Sequence, residues 1–369
     1  MIISKKVELI SGEMLEVKVV EPPLTKYLKK YQEGHLLDWV WSEIKNEIQN
    51  GQMTKWLYMP YALGIIGNRL VASMAYFTPR ETRDIGLIEF VETLSEYRRK
   101  NISTILLSTL VEHFESQGGV ALSLCTTNPI AGKLYENLGF WYSVGDGMTR
   151  ISNSSSKDLE SFNDFYFQNT GQALVREATW SDLPKVSFLY NSPNPKWILK
   201  DYLSESFSDT RYESHFVKTF LEIQKSFGKF LLLESNEKKI VGSVVIQRKN
   251  NFLQQHSGTI SFRVVPSYFE QTIQMLEAAK IEAAKIGISV LECFVAKSDS
   301  EQVKFLELSG FNLAACLEKR LYDGTNYEDV LVLSFETQKF SKNRNHQSDY
   351  YGARQNWQID RINNSCFDS

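Results

Sequence analysis

Asn128-Pro-Ile-Ala-Gly-Lys-Leu-Tyr-Glu-Asn-Leu-Gly-Phe-Trp141 decides the reading of this chain. A β-like run, Val120-Ala-Leu-Ser-Leu-Cys125, leads into it. Residues 131–138 read as a helix, and Leu138-Gly139-Phe140 as the entry to a further strand. Upstream lies a basic turn, Tyr97-Arg-Arg-Lys-Asn-Ile-Ser103. It joins an expected strand at 85–94 to a helix at 102–116, where Ile102, Ile105, Leu106, Thr109 and Leu110 form one stripe. Gly118-Gly119 ends that helix. The order is therefore strand, basic turn, helix, strand, helix, strand.

Further out, residues 15–20 alternate as a strand that Pro22-Pro23 closes. Helical patterns follow at 24–32 and 36–50, the second with Leu37, Val40, Trp41, Ile44 and Ile48 on one stripe. Segments 55–66 and 69–78 make a hairpin around Gly67-Asn68. The 369 residues exceed one ordinary core, which argues for two domains. Composition is globular, at 43% apolar and 23% charged. A net charge of −3 gives no electrostatic reason to expect nucleic acid or a membrane surface. Cys125, Cys293, Cys316 and Cys366 are scattered without metal spacing and read as reduced, mostly core-packed thiols. No run reaches about 18 apolar residues and the start has no apolar signal core, so a cytoplasmic protein is the expectation.

The basic turn and the Asn128–Trp141 stretch together resemble the acyl-CoA site of the GCN5-related N-acetyltransferase (GNAT) superfamily. The resemblance implies an α/β (α+β) fold whose mixed, mostly antiparallel central sheet is flanked by helices. The family turn reads Arg/Gln-x-x-Gly-x-Gly/Ala. Here Arg98-Arg99-Lys100-Asn101-Ile102-Ser103 keeps the leading Arg and places Asn101 and Ser103 where glycines are usual. Asn tolerates a left-handed backbone better than most residues, and a helix N-terminus suits a pyrophosphate. The resemblance further implies that the strand near Val91 and Thr93 lends backbone groups to the pantetheine. It implies that Asn128 meets that arm, that Ala131 faces the cofactor, and that Tyr135 protonates the leaving thiolate. Glu89 is the candidate base for the amine, with Glu92 and His113 as weaker candidates. His113 lies on the helical stripe and also reads as a satisfied buried histidine.

The chain reads as one fold written twice. Tyr97 and Gly139 lie 42 residues apart, as do Tyr268 and Gly310. The expected organisation is a first unit at 1–151, a Ser/Asn-rich linker at 152–172, a second unit at 173–338 and a disordered tail at 339–369. In the second unit Phe269 stands at the Arg position, both glycine positions are lost, and Glu270 would repel phosphate. The Tyr position falls at Leu306 and the Asn position at Asp299. This copy therefore reads as having lost the site. Trp180, Trp197 and Tyr202 are candidates for either core or a groove facing the first unit.

The resemblance implies an N-acetyltransferase that uses acetyl-CoA and transfers to a primary amine by direct attack, with no metal. The acceptor is a small-molecule or peptide amine; Tyr31, His35, Trp39 and Trp41 in 24–50 suit either. The alternative is a non-catalytic acyl-CoA-sensing or interaction module, which the altered turn at Asn101 and Ser103 keeps open. A nucleotide-binding α/β protein is disfavoured by the lack of GxxxxGK[ST] and GxGxxG.

Overall fold

The computed structural model describes residues 1–31, 42–152, 156, 158–199, 212–225, 227–322 and 324–336, without the side chains of 212–215. Met1–Glu336 forms one compact unit. The expected tail lies outside the described residues, as do His35, Leu37, Trp39, Val40, Trp41, Tyr202 and Cys366.

The chain opens with β1 (Ile3–Glu8) and β2 (Met14–Val20), then α1 (Thr25–Tyr31) and α2 (Lys45–Gln49). Next come β3 (Leu57–Tyr58), β4 (Tyr61–Ile66), β5 (Arg69–Pro79), β6 (Ile85–Thr93), α3 (Ile102–Ser116), β7 (Ala121–Cys125), α4 (Pro129–Asn137), β8 (Trp141–Tyr142) and β9 (Gly147–Ile151). A second series follows: α5 (Leu159–Tyr166), β10 (Leu174–Glu177), α6 (Leu183–Asn191), α7 (Tyr212–Gln224), β11 (Gly228–Glu234), β12 (Ile240–Arg248) and β13 (Ser257–Val264). It ends with α8 (Thr272–Lys285), β14 (Val290–Ala296), α9 (Ser300–Leu308), β15 (Asn312–Tyr322) and β16 (Tyr327–Glu336).

Two mixed sheets result among the described residues. The first runs β1-β2-β4-β5-β6-β7-β9-β8, with β3 paired to β5; the second runs β10-β11-β12-β13-β14-β16-β15. Apart from the outer β1, the second order repeats the first. Each sheet has one parallel junction, β6–β7 and β13–β14, in the same place in the order. Sequence reading missed β1 because an edge strand buries little: its residues alternate only between half-buried and exposed.

The two faces of the first sheet carry different cores. Ala62, Met74, Tyr76 and Ile88 pack on one face with Leu106, Leu110 and Phe114 of α3. Leu63, Ala75, Phe77, Leu87 and Phe90 belong to a cluster on the other face that runs on into the second sheet. All nine residues of α6 are buried, and the helix packs on β5, β6, β7 and β9 as well as on β12. A helix covered on all sides is a core element.

Residues 159–166 of the expected linker form α5. Asp158 accepts from Ser161 N at 2.7 Å and caps α5. Phe162, Tyr166 and Phe167 are buried, and all three rings meet Phe188 of α6. Trp180 is buried against Phe216 and Phe220, so it is core and lines no groove. Of the cysteines, Cys293 is buried, Cys125 half-buried and Cys316 exposed on β15, which corrects the expectation of mostly core-packed thiols.

Candidate active site

The parallel junction of the first sheet is short. Ile85, Gly86 and Leu87 pair with Ala121, Leu122 and Ser123, and β6 then continues to Thr93 without β7 beside it. A gap opens at the carboxyl ends of these two strands. Backbone groups along such an edge can accept a peptide-like arm as an added strand.

A bulge gives this strand two functions. Ala75 pairs with Glu89, but Ser73 pairs with Glu92 and Ala72 with Thr93. The extra residue is taken up at Phe90, whose φ is 57°. Ala72 and Val91 belong to the α3 face, whereas Ala75 and Phe90 belong to the opposite one. Thr93 and Val91 are thus turned toward α3, while Glu89 is turned to the other side. Without the bulge, residues 89, 91 and 93 would share a face.

The turn after β6 is built on left-handed residues. Arg99 has φ 63° and Asn101 φ 64°. Asn101 precedes α3 and its side chain makes no capping bond, so it serves there through its backbone. The first N–H groups of α3 have no intrahelical acceptor, the ordinary condition of a helix N-terminus and a favourable one for anions. Arg98 Nε donates to Thr93 O at 3.1 Å, and Thr93 Oγ1 lies 2.9 Å from Ser103 Oγ. These bonds tie the strand end to the helix start. Lys100 is directed elsewhere: its Nζ reaches Glu13 at 2.6 Å, next to the β1–β2 turn.

Across the gap, Asn128 begins α4. Its Oδ1 accepts from Ile130 N at 3.0 Å and Ala131 N at 3.4 Å, with Pro129 at the first helical position. Tyr135 follows two turns later, 5% exposed, its ring edge-on to Phe140 at 5.8 Å. Burial pushes the Tyr135 phenol well above its ordinary range, and the nearby Glu89 charge adds to this. The Tyr135 phenol therefore stays protonated at neutral pH.

These elements enclose a cleft of about 1480 Å³. It is lined by Val91, Thr93, Arg98, Arg99, Asn101, Ile102, Ser103, Asn128, Ala131 and Tyr135, all expected from sequence, and by Glu92. Lys100 and Glu89 are not among its lining residues. Sequence reading did not find Ile10, Tyr97, Thr104, Pro129, Ile130, Lys133, Leu134 and Asn137, which also line it. Thr104 was legible, since it completes the first turn of α3. Ile10 was not, because its position follows from the unforeseen β1–β2 hairpin. His113 is buried with Nε2 2.8 Å from the Tyr58 hydroxyl, at the far end of α3. Burial, with Arg83 nearby, lowers the pKa of its imidazole. No group of residues suited to hold a metal ion occurs among the described residues, and none of their helices is long and apolar enough to cross a membrane.

The corresponding gap of the second sheet is closed. The β12–β13 register runs from Gly242↔Val264 to Arg248↔Gly258 without a bulge. Trp197 lies in the gap, stacked on Phe269 at 6.0 Å and edge-on to Phe262 at 5.4 Å. Asp299, at the Asn128 position, accepts from Ile198 N at 2.8 Å. Leu199 packs on Ala296 and Val330. The turn itself is covered by the chain before β10: Asn169 Nδ2 donates to Ser267 O at 2.8 Å and Ala173 N to Gln271 Oε1 at 2.8 Å. Residues 197–199 thus pack against β13, the turn after it, the start of α9 and the adjoining ends of β14 and β16.

Residues 25–140 match the model of the acetyltransferase (GNAT) family, so the first unit carries a GNAT acetyltransferase domain. No curated protein matches the chain. Among solved structures, a GNAT-family acetyltransferase from Streptococcus pneumoniae is 20% identical, with TM-score 0.38, covering 45% of this chain and 100% of that one. A ribosomal-protein-alanine N-acetyltransferase from Brucella melitensis is 19% identical, with TM-score 0.38, covering 44% and 99%. A phosphinothricin acetyltransferase from Sinorhizobium meliloti, solved with acetyl-CoA, is 12% identical, with TM-score 0.40, covering 48% and 98%.

Proposed function

We propose that the first unit transfers an acetyl group from acetyl-CoA to a primary amine by direct attack. The observation that carries this reading is the cleft itself, within the family-matched domain: a strand edge, a left-handed basic turn, a helix N-terminus and a buried phenol share one space. The residues fit the cosubstrate. First-turn N–H groups of α3 with Arg98 and Arg99 suit a pyrophosphate. The β6 edge beyond Leu87 suits the amide-bearing arm, and its length leads toward Tyr135.

Acetyl-CoA supplies an activated thioester; the chain moves the protons. Glu89 takes the proton that the amine must lose, directly or through water. Tyr135 gives its phenolic proton to the departing sulfur. The second unit is a GNAT-like copy that has lost its site and acts through packing. Tyr135→Phe tests the assignment by release of CoA thiol with a panel of primary amines. Turnover falls by about 100-fold or more while acetyl-CoA affinity is kept. Unchanged turnover would remove Tyr135 from the reaction.

A further inference from the structure

The first sheet carries a strand that the second lacks. β1 pairs with β2 from Ile3↔Val19 to Glu8↔Met14, whereas β10 is the outermost strand of the second sheet among the described residues. The copy with the open cleft therefore has an extra hairpin, and the copy with the closed gap does not.

The tip of this hairpin is a defined turn. Gly12 has φ 80°, its N–H donates to Leu9 O at 2.8 Å, and Leu9 N donates to Glu13 O at 2.9 Å. Leu9 is buried in the core on the α3 face, but the next residue, Ile10, is 100% exposed. Turn tips ordinarily carry polar residues. A lone exposed apolar side chain needs no explanation in general; Ile10 differs because it lines the cleft.

The tip is also tied to the basic turn. Glu13 accepts from Lys100 Nζ at 2.6 Å and from Ser11 Oγ at 2.7 Å. The Lys100 ammonium in turn lies 4.9 Å from the ring centroid of Tyr97, a second lining residue of the cleft. Ile10 and Tyr97 thus supply apolar surface at the turn end of the cleft, while Asn128 and Tyr135 stand across the gap.

This arrangement bears on which part of acetyl-CoA the hairpin meets. With the thioester at Tyr135, the amide-bearing arm along the β6 edge and the pyrophosphate at the first turn of α3, the adenosine is what remains beyond the turn. We propose that Ile10, with Tyr97 beside it, covers one face of the adenine base, so that the β1–β2 hairpin is a nucleotide-binding element of the first unit alone. This rests on reading the first unit as acetyl-CoA-binding. A flat purine face removed from water against isoleucine gains affinity by apolar burial, and the Glu13–Lys100 pair sets the direction in which the tip points.

The test uses the full-length protein with two probes. Calorimetry reads acetyl-CoA affinity. Acrylamide quenching of 1,N6-etheno-CoA, whose modified adenine fluoresces, reads how far the bound base is covered. In the parent complex the base is quenched less readily than in free etheno-CoA. Ile10→Ser lowers acetyl-CoA affinity about fivefold and returns quenching of the saturated complex toward that of the free probe. Ile10→Leu keeps both properties. Melting temperatures stay at the parent value, because the side chain is fully exposed. A bound base quenched as freely as in solution, or equal protection in the parent and Ile10→Ser complexes, would overturn the proposal. Absence of acetyl-CoA binding by the parent protein would instead overturn the reading beneath it.

Discussion

Asn101 shows how a site can depart from its family pattern and keep its geometry. Its φ of 64° is the conformation a glycine would adopt with least strain. Asparagine reaches it at a small cost, whereas a β-branched residue pays about 1–3 kcal/mol. Asn101→Val therefore destabilises the chain by roughly that amount and weakens acetyl-CoA binding. Asn101→Gly keeps both properties. Thermal unfolding and calorimetry of the two variants check this, and equal behaviour would mean that the turn tolerates any backbone. This residue was legible in the sequence because asparagine and glycine share the left-handed region. Lys100 was not: its basic neighbours suggested phosphate, but its side chain is engaged by Glu13, 87 residues earlier. Local sequence does not report a partner brought in by a distant hairpin.

At the scale of elements, β6 is the decisive piece. Its apolar content announced a strand, and Val91 and Thr93 line the cleft. The bulge at Phe90 was invisible, since phenylalanine carries no signal for positive φ. Deleting Phe90 removes the extra residue and straightens the strand, but Ala75↔Glu89, Ser73↔Glu92 and Ala72↔Thr93 then follow plain alternation, so Val91 and Thr93 stay on the α3 face and Glu89 on the other. Acetyl-CoA affinity is therefore kept, while circular dichroism keeps its strand signal. Lost affinity by calorimetry would show that the bend of the bulge, and not the facing of these residues, shapes the cofactor side. The same comparison explains the second copy. Its lost motif at Phe269 and Glu270 was readable, but the plug formed by Trp197, Ile198 and Leu199 was not. Those residues lie upstream in sequence and reach the gap only through the tertiary fold.

At the scale of the whole molecule, the repeat was legible through the 42-residue spacing, but the junction between its halves was not. Composition suggested a Ser/Asn-rich linker with a short amphipathic insert at 152–172; its helix α5 and the following α6 pack into the core, and α6 touches strands of both sheets. Lys185 of that helix pairs with Asp84 at 3.2 Å and donates to Lys238 O at 2.7 Å. The Asp84 carboxylate also accepts from Tyr166 at 3.0 Å. Burial alone would raise the Asp84 carboxyl, but Lys185 and the hydrogen bonds from Thr82 and Tyr166 outweigh it and hold it below 3.8. Its contribution to stability is therefore present above pH 3.8 and is lost as pH falls through the lowered value. Lys185→Met leaves Asp84 without its cation and destabilises the chain by on the order of 3 kcal/mol at pH 7. Denaturant unfolding checks this; a loss below about 0.5 kcal/mol would show that the pair does not hold the halves together. The central claim is that one half binds acetyl-CoA and the other is filled by its own chain. Calorimetric titration of the full-length protein with acetyl-CoA tests it most directly. The account predicts one site per chain, abolished by Arg98→Glu and untouched by Glu270→Ala. Two sites, or none, or a site indifferent to Arg98, would contradict it.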